Sequence, residues 1–97
     1  MITKSQRRYL KGLANNLKPL VQIGKNGLTE NVIQSIDEVL TARELLKIEV
    51  LNSCEETAGE LAVEIAGVTG SEIIAEVGHR IVLYRHNRQK PVIVLPK

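Results

Sequence analysis

The chain has no tryptophan or phenylalanine, only two tyrosines, a single cysteine and no long apolar run. Each shortage excludes something. With Tyr9 and Tyr84 as the whole aromatic complement, a nucleic-acid binder that stacks several bases on an aromatic platform is excluded. Cys54 alone cannot form an intrachain disulfide, which fits a reducing compartment, so a cytoplasmic location is expected. No apolar stretch approaches the roughly 20 residues of a membrane span. The opening MITKSQRRYLKG is basic but leads into no apolar segment of a secretory signal. His79 and His86 have no Cys or carboxylate at ligand spacing, so no metal and no cofactor is expected. Neither G-x-x-x-x-G-K-[ST] nor G-x-G-x-x-G occurs, which leaves nucleotide hydrolysis unsupported. The carboxylates Asp37–Glu38 and Glu55–Glu56 read as solvated helix surface rather than an acid/base pair. An enzyme acting on a small molecule is therefore not expected.

Acid is missing from both ends. Residues 1–28 carry Lys4, Arg7, Arg8, Lys11, Lys18 and Lys25, and residues 79–97 carry Arg80, Arg85, Arg88, Lys90 and Lys97, with no acid in either segment. All 11 acidic residues lie between, against Arg43 and Lys47, so a net charge of only +2 conceals a strong segregation. Such a pattern can give a near-neutral protein one basic face, the footprint of a polyanion binder.

What is present reads as one domain over residues 1–97, long enough for a single core. Thr3-Lys4-Ser5-Gln6 fits a capping box, and Leu10, Leu13, Ala14 and Leu17 follow at helical spacing. Lys4, Arg8 and Lys11 share a second face of that helix, with Arg7 beside them, and Asn15-Asn16 marks its end. Pro19 to Ile23 predicts a strand. Thr29 is the expected cap of a second helix, with Leu28 positioned to staple onto Ile33 and with Val32, Ile33, Ile36, Val39 and Leu40 on its apolar face. Leu45 to Leu51 is strand-like. Ser53-Cys54-Glu55-Glu56 predicts the start of a third helix, with Ala58, Leu61, Ala62 and Ile65 inward and Gly67 or Gly70 at its end. Ile73 to Val77 and Ile81 to Arg85 are predicted strands joined by the two-residue turn Gly78-His79. The order is α-β-α-β-α-β-β. Residues 88–97 are a tail, or an added edge strand at Val92 to Leu95.

The stretch VQIGKNGLTEN contains Gly24-Lys25-Asn26-Gly27 at the mouth of the second helix. Two glycines there allow close approach to backbone amides, the helix dipole favours an anion, and Lys25 adds a point charge. A lone GxxG is more often a turn than a site. Tyr84 alternates with Leu83 and Arg85, so it belongs in the core rather than on a base-stacking surface.

Three segments, GKNGLTENVI, RELLKIEVL and GHRIVLYR, stand in one order and spacing across nearly the whole chain. Together they resemble the CRM domain (chloroplast RNA splicing and ribosome maturation), in particular its bacterial stand-alone YhbY-like members. The resemblance implies a two-layer α/β fold like the C-terminal domain of translation initiation factor three, with a four-stranded mixed sheet of order 1-2-4-3 and strand four antiparallel. It also implies a non-enzymatic RNA-binding protein acting on ribosomal RNA of the large-subunit precursor during ribosome assembly, as a monomer. The residues expected to meet RNA are Gly24, Lys25, Asn26 and Gly27 in the loop, Lys4, Arg7, Arg8, Lys11 and Lys18 near the N-terminus, and Arg80, Arg85 and Arg88. The alternative is a protein–protein adaptor whose acidic helical face, Glu56, Glu60 and Glu64, docks a basic ribosomal protein.

Overall fold

The computed structural model describes residues 2–96. Its elements run α1 (Lys4–Ala14), β1 (Val21–Ile23), α2 (Glu30–Arg43), β2 (Leu45–Val50), α3 (Ala58–Thr69), β3 (Glu72–Val77) and β4 (Arg80–Tyr84). The four strands form one sheet of order β1-β2-β4-β3. β1 runs parallel to β2, while β4 is antiparallel to both β2 and β3. Element order and sheet topology match the expectation.

Local signals account for most of the boundaries. Thr3 caps α1 in a complete capping box, its hydroxyl accepting from the Gln6 amide while the Gln6 side chain accepts from the Thr3 amide. The Thr29 hydroxyl accepts from the Val32 amide at the start of α2. The start of α3 departs from the prediction. Its cap is Thr57, which accepts from the Glu60 amide, and residues 51–57 form the preceding loop. Both Ser53-Cys54-Glu55-Glu56 and Thr57-Ala58-Gly59-Glu60 fit the capping pattern. The helix starts at the second, where Thr57 has an extended backbone and its hydroxyl accepts from the Glu60 amide; Ala58, Leu61, Ala62 and Ile65 then face the core, as the helical spacing places them from either start. Gly70 ends α3 in the left-handed conformation. β1 is shorter than predicted, and the Leu20 amide just before it donates to the Lys47 carbonyl.

The sheet is covered on both faces. Against one face, α2 and α3 bury Ile36, Leu40, Leu61 and Ile65 on Ile23, Leu46, Ile48, Ile81 and Leu83. Against the other, α1 buries Leu10 and Ala14 on Leu45, Ile74, Val82 and Tyr84. The period of two along β2 and β4 produces this directly, since alternate side chains leave opposite faces. The two-layer description holds for the α2–α3 side, and α1 adds a partial third layer.

Glu44 joins α2 to β2 with φ +67° and ψ −31°, a sparsely populated positive-φ conformation that costs a non-glycine residue about 1–3 kcal/mol. Its side chain is buried and offsets that cost. The carboxylate accepts from the backbone amides of Asn87 (2.6 Å), Val92 (2.7 Å) and Ile93 (2.7 Å), and His86 Nδ1 lies 3.0 Å from Oε2. The C-terminal segment is thereby folded back over the domain. Ile93 and Leu95 pack on the α1 side, and the Pro96 carbonyl accepts from the Gln6 amide group. Residues 85–96 form no strand, so of the two alternatives for the C-terminal segment, a tail or an added edge strand at Val92 to Leu95, the described residues take the tail. A carboxylate has taken up the amides that a neighbouring strand would have used.

Burial alone would raise the Glu44 pKa, but the three amides and His86 outweigh it and hold the group below the ordinary carboxylate value of 4.5. A depressed native pKa contributes stability that is present above about pH 4.5 and lost as pH falls through the native value. Glu44→Gln should therefore cost at least the about 1.5–3 kcal/mol of one charge-assisted hydrogen bond. It should also release the Val92 and Ile93 amides to hydrogen exchange and flatten the acid limb of a denaturation series. Unchanged exchange at those two amides would show that the tail is held elsewhere.

Candidate nucleic-acid interface

The basic residues are distributed by the sheet. α1 has no acid in its first turn and Lys11 in its last, and it lies alone on its face. α2 and α3, on the other face, expose Glu30, Asp37, Glu38, Glu60 and Glu64. Part of the charge segregation along the sequence has become a segregation across the sheet, with Glu49 and Glu72 the strand acids that stand on the α1 side. Lys4, Arg8 and Lys11 are exposed on α1, and none of them pairs with an acidic side chain among the described residues.

At the C-terminal end of α1, Lys11 and Asn15 face Lys47 of β2 and Arg80 of β4 across a cavity of about 290 Å³. The structure thus brings together a helix-one cation and a strand-four cation that are far apart in sequence. Lys47 was not among the residues expected to meet RNA. The signal lay in the alternation of LLKIEV, where a lysine occupies a position whose strand neighbours Leu46 and Ile48 point to the opposite, apolar face. Lys47 is 9% exposed and its pairing partner on β4 is Val82, so its stem lies along the sheet. Arg80 stands 4.0 Å from Glu49 Oε2, and Glu49 also accepts from Gln22 of β1 at 3.2 Å. That row of three side chains spans about two strand spacings, or roughly 10 Å, and places Arg80 at the same end of the sheet as the glycine loop that follows β1.

In that loop the Gly27 amide donates to the Gly24 carbonyl at 2.9 Å, closing a turn over Lys25 and Asn26, both exposed. Gly27 has φ +66°, and a Cβ there would lie 3.2 Å from Glu56 Oε1. The Gly27 amide is consumed inside the loop and a carboxylate stands beside it, so the anion-receptive part of the turn lies toward Gly24 and Lys25. Lys18 is exposed in the connection between α1 and β1.

Two of the expected arginines are tied into the fold. Arg7 Nη1 donates to the carbonyls of Ile73 and Ile74, where β3 has an irregularity in its pairing. Arg85 bridges α2 and α3: Nη1 donates to Asp37 Oδ1 (2.6 Å) and the Thr69 carbonyl (2.9 Å), and Nη2 to Thr41 Oγ1 (2.8 Å) and the Asp37 carbonyl (3.1 Å). Arg88 lies with His86 and Tyr84 around a second cavity at the N-terminal end of α1. Burial, helped by the Glu44 and Glu72 carboxylates, pushes the Tyr84 phenol above its ordinary value, in keeping with a core position.

The fold and this surface define a small mixed α/β domain with a basic helix-and-sheet face ending in a glycine turn. The CRS1 / YhbY (CRM) domain matches residues 2–85, and the chain belongs to that family. It is 38% identical over 96 residues to a Bacillus subtilis (strain 168) protein named Probable RNA-binding protein YqeI, covering 99% of this chain and 100% of that one. A Haemophilus influenzae protein named RNA-binding protein is 35% identical, with 94% of this chain and 92% of that one covered. The solution structure of SAV1595 from Staphylococcus aureus superposes with a TM-score of 0.81 at 43% identity, over 99% of this chain and 100% of that one.

The two loop glycines should respond differently to alanine. Gly27→Ala should destabilise by about 1–2 kcal/mol, the cost of a side chain in the left-handed region, because φ is +66°; the nearest atom, Glu56 Oε1 at 3.2 Å, ends a flexible side chain that can give way. Gly24→Ala should be nearly neutral, since its Cβ would meet only the ends of the Ser53 and Leu51 side chains at 3.3 and 3.4 Å. Urea denaturation of the two variants measures the difference. Equal stabilities would show that the turn rearranges.

Proposed function

We propose that this protein binds RNA through the α1 face and the Gly24–Gly27 turn, as a non-catalytic cytoplasmic factor that acts on ribosomal RNA of the large-subunit precursor. The observation that carries the reading is the separation of charge across the sheet. Lys4, Arg8, Lys11, Lys47 and Arg80 gather on or beside α1, while α2 and α3 keep their acids on the far side. RNA binding by the named relatives and membership of the CRM family support the polyanion as RNA. The assembling large subunit follows from the family resemblance, which is strongest for the bacterial stand-alone members. With no phenylalanine or tryptophan, with Tyr84 buried and with Tyr9 the one tyrosine exposed on α1, affinity comes mainly from phosphates and RNA shape, and at most one base can stack on an aromatic ring.

About six phosphate contacts on looped or single-stranded RNA give a log–log salt slope near −4, at about 0.7 per contact. Replacing Lys4, Arg8 and Lys11 together with Ala should flatten that slope by roughly two units without lowering the melting temperature. Arg7 is left out because its guanidinium holds β3. A slope indifferent to the triple substitution would leave the α1 stripe as a solvated face. Affinity for naked ribosomal RNA that ignores salt altogether would favour docking of a basic protein on the acidic α3 surface, where Glu60, Glu64 and Val63 are exposed.

A further inference from the structure

The cavity between the C-terminal end of α1 and the open part of the sheet is unlike a plain basic patch. Three cations, Lys11, Lys47 and Arg80, stand around a floor made by Ala14, Ala75, Val77 and Val82. No carboxylate lines it. Glu49 lies 4.0 Å from one Arg80 nitrogen, and the Arg80 side chain stays 54% exposed. Val77 is 75% exposed, an apolar side chain left in water beside the cations. Lys47 is the most buried of the three, so its charge acts with less solvent screening than those on the helix surface.

A solvated phosphate-tracking face needs cations and has no use for an apolar floor. A floor with cations around it matches a nucleotide, whose base is flat and apolar on its faces and whose phosphate is anionic. The volume of about 290 Å³ lies at the small end of ligand sites, about 300–1,000 Å³, which suits one nucleotide and excludes a duplex. The Asn15 side chain at its edge offers both a donor and an acceptor to a base edge. Resting on the RNA-binding reading above, we propose that this cavity seats one splayed-out nucleotide of single-stranded or looped RNA. The base lies on Ala75, Val77 and Val82, and the phosphate is held by Lys11, Lys47 and Arg80. The chain thereby selects unpaired RNA without an aromatic platform, because recognition of RNA sequence and loops works on bases freed from the stack.

The test is a methyl and amide NMR titration of the full chain with a short single-stranded oligouridylate, a blunt RNA duplex and uridine monophosphate. The single strand should shift the methyl resonances of Ala75, Val77 and Val82, and the duplex should leave them in place. Two variants separate charge from shape. Lys47→Met keeps the stem and removes the charge, and it should weaken single-strand binding and lower the salt slope. Ala75→Leu fills the floor and removes no charge. It should weaken single-strand binding about tenfold while leaving duplex binding unchanged. Melting curves confirm that both variants fold. The proposal is overturned if salt-dependent RNA binding persists while the floor methyls stay unmoved and Ala75→Leu binds as tightly as the parent; the RNA reading then survives without the cavity. Stronger floor shifts with uridine monophosphate than with the oligonucleotide would also overturn it, in favour of a free-nucleotide site. Absence of any salt-dependent RNA binding would remove the RNA reading itself, and the proposal with it.

Discussion

The antiparallel pair of β2 and β4 lies in the middle of the sheet, and nearly every residue of both strands is buried. Burial from both sides is what the rest of the molecule depends on. Leu46, Ile48, Ile81 and Leu83 need the cover of α2 and α3, while Leu45, Val82 and Tyr84 need the cover of α1. α1 is one helix of 11 residues, about 16 Å long at 1.5 Å per residue, and it cannot cover a whole sheet face. The part it leaves open carries Lys47 and Arg80 around Ala75, Val77 and Val82, with Glu49 beside Arg80. The same geometry that closes the core therefore leaves a polar, basic recess beside it.

Glu44 ties this arrangement together at the opposite end. It ends α2, turns the chain into β2 through a positive φ, accepts the Arg85 amide on its carbonyl at 2.8 Å, and gathers the amides of the tail on its carboxylate. A buried carboxylate is costly without partners, and here both oxygens are occupied. Nearby, Arg85 joins the C-terminal turn of α3 to Asp37 and Thr41 of α2. Two charged residues of the middle and C-terminal segments thus serve the fold, and the charges free for a ligand are fewer than a residue count suggests.

Electrostatically the sheet works as a partition. Cations at the N-terminus and at the hairpin converge on the α1 side, and the acids of α2 and α3 are carried by helices packed on the opposite face. A domain with more cations on one face and more acids on the other would be turned by the field of a charged partner during approach. The acidic loop residue Glu56 stands beside Gly27 and places a carboxylate at that end of the turn.

Features set by neighbouring residues were legible without the fold. The Thr3–Gln6 capping box, the Thr29 cap, the apolar stripes of the helices, the Gly78-His79 turn and the burial of Tyr84 all rest on interactions within a few positions or on simple periodicity. The β1-β2-β4-β3 order followed from family resemblance rather than from residue spacing. Thr57 rather than Ser53 caps the third helix, and the Cys54 amide instead donates to the Leu51 carbonyl in the loop that leaves β2. What else escaped had partners far along the chain. The tail became a strap on Glu44, a contact spanning 49 positions to Ile93, instead of an edge strand. Arg7 and Arg85 were spent on carbonyls and on Asp37, while Lys47, unremarkable within LLKIEV, came to face Lys11 and Arg80. The order of residues alone determined the elements, their caps and the sign of charge on each segment, because those are local quantities. Which cations remain free, and which of them share a cavity, was decided only when the sheet brought distant segments within a few ångströms of one another.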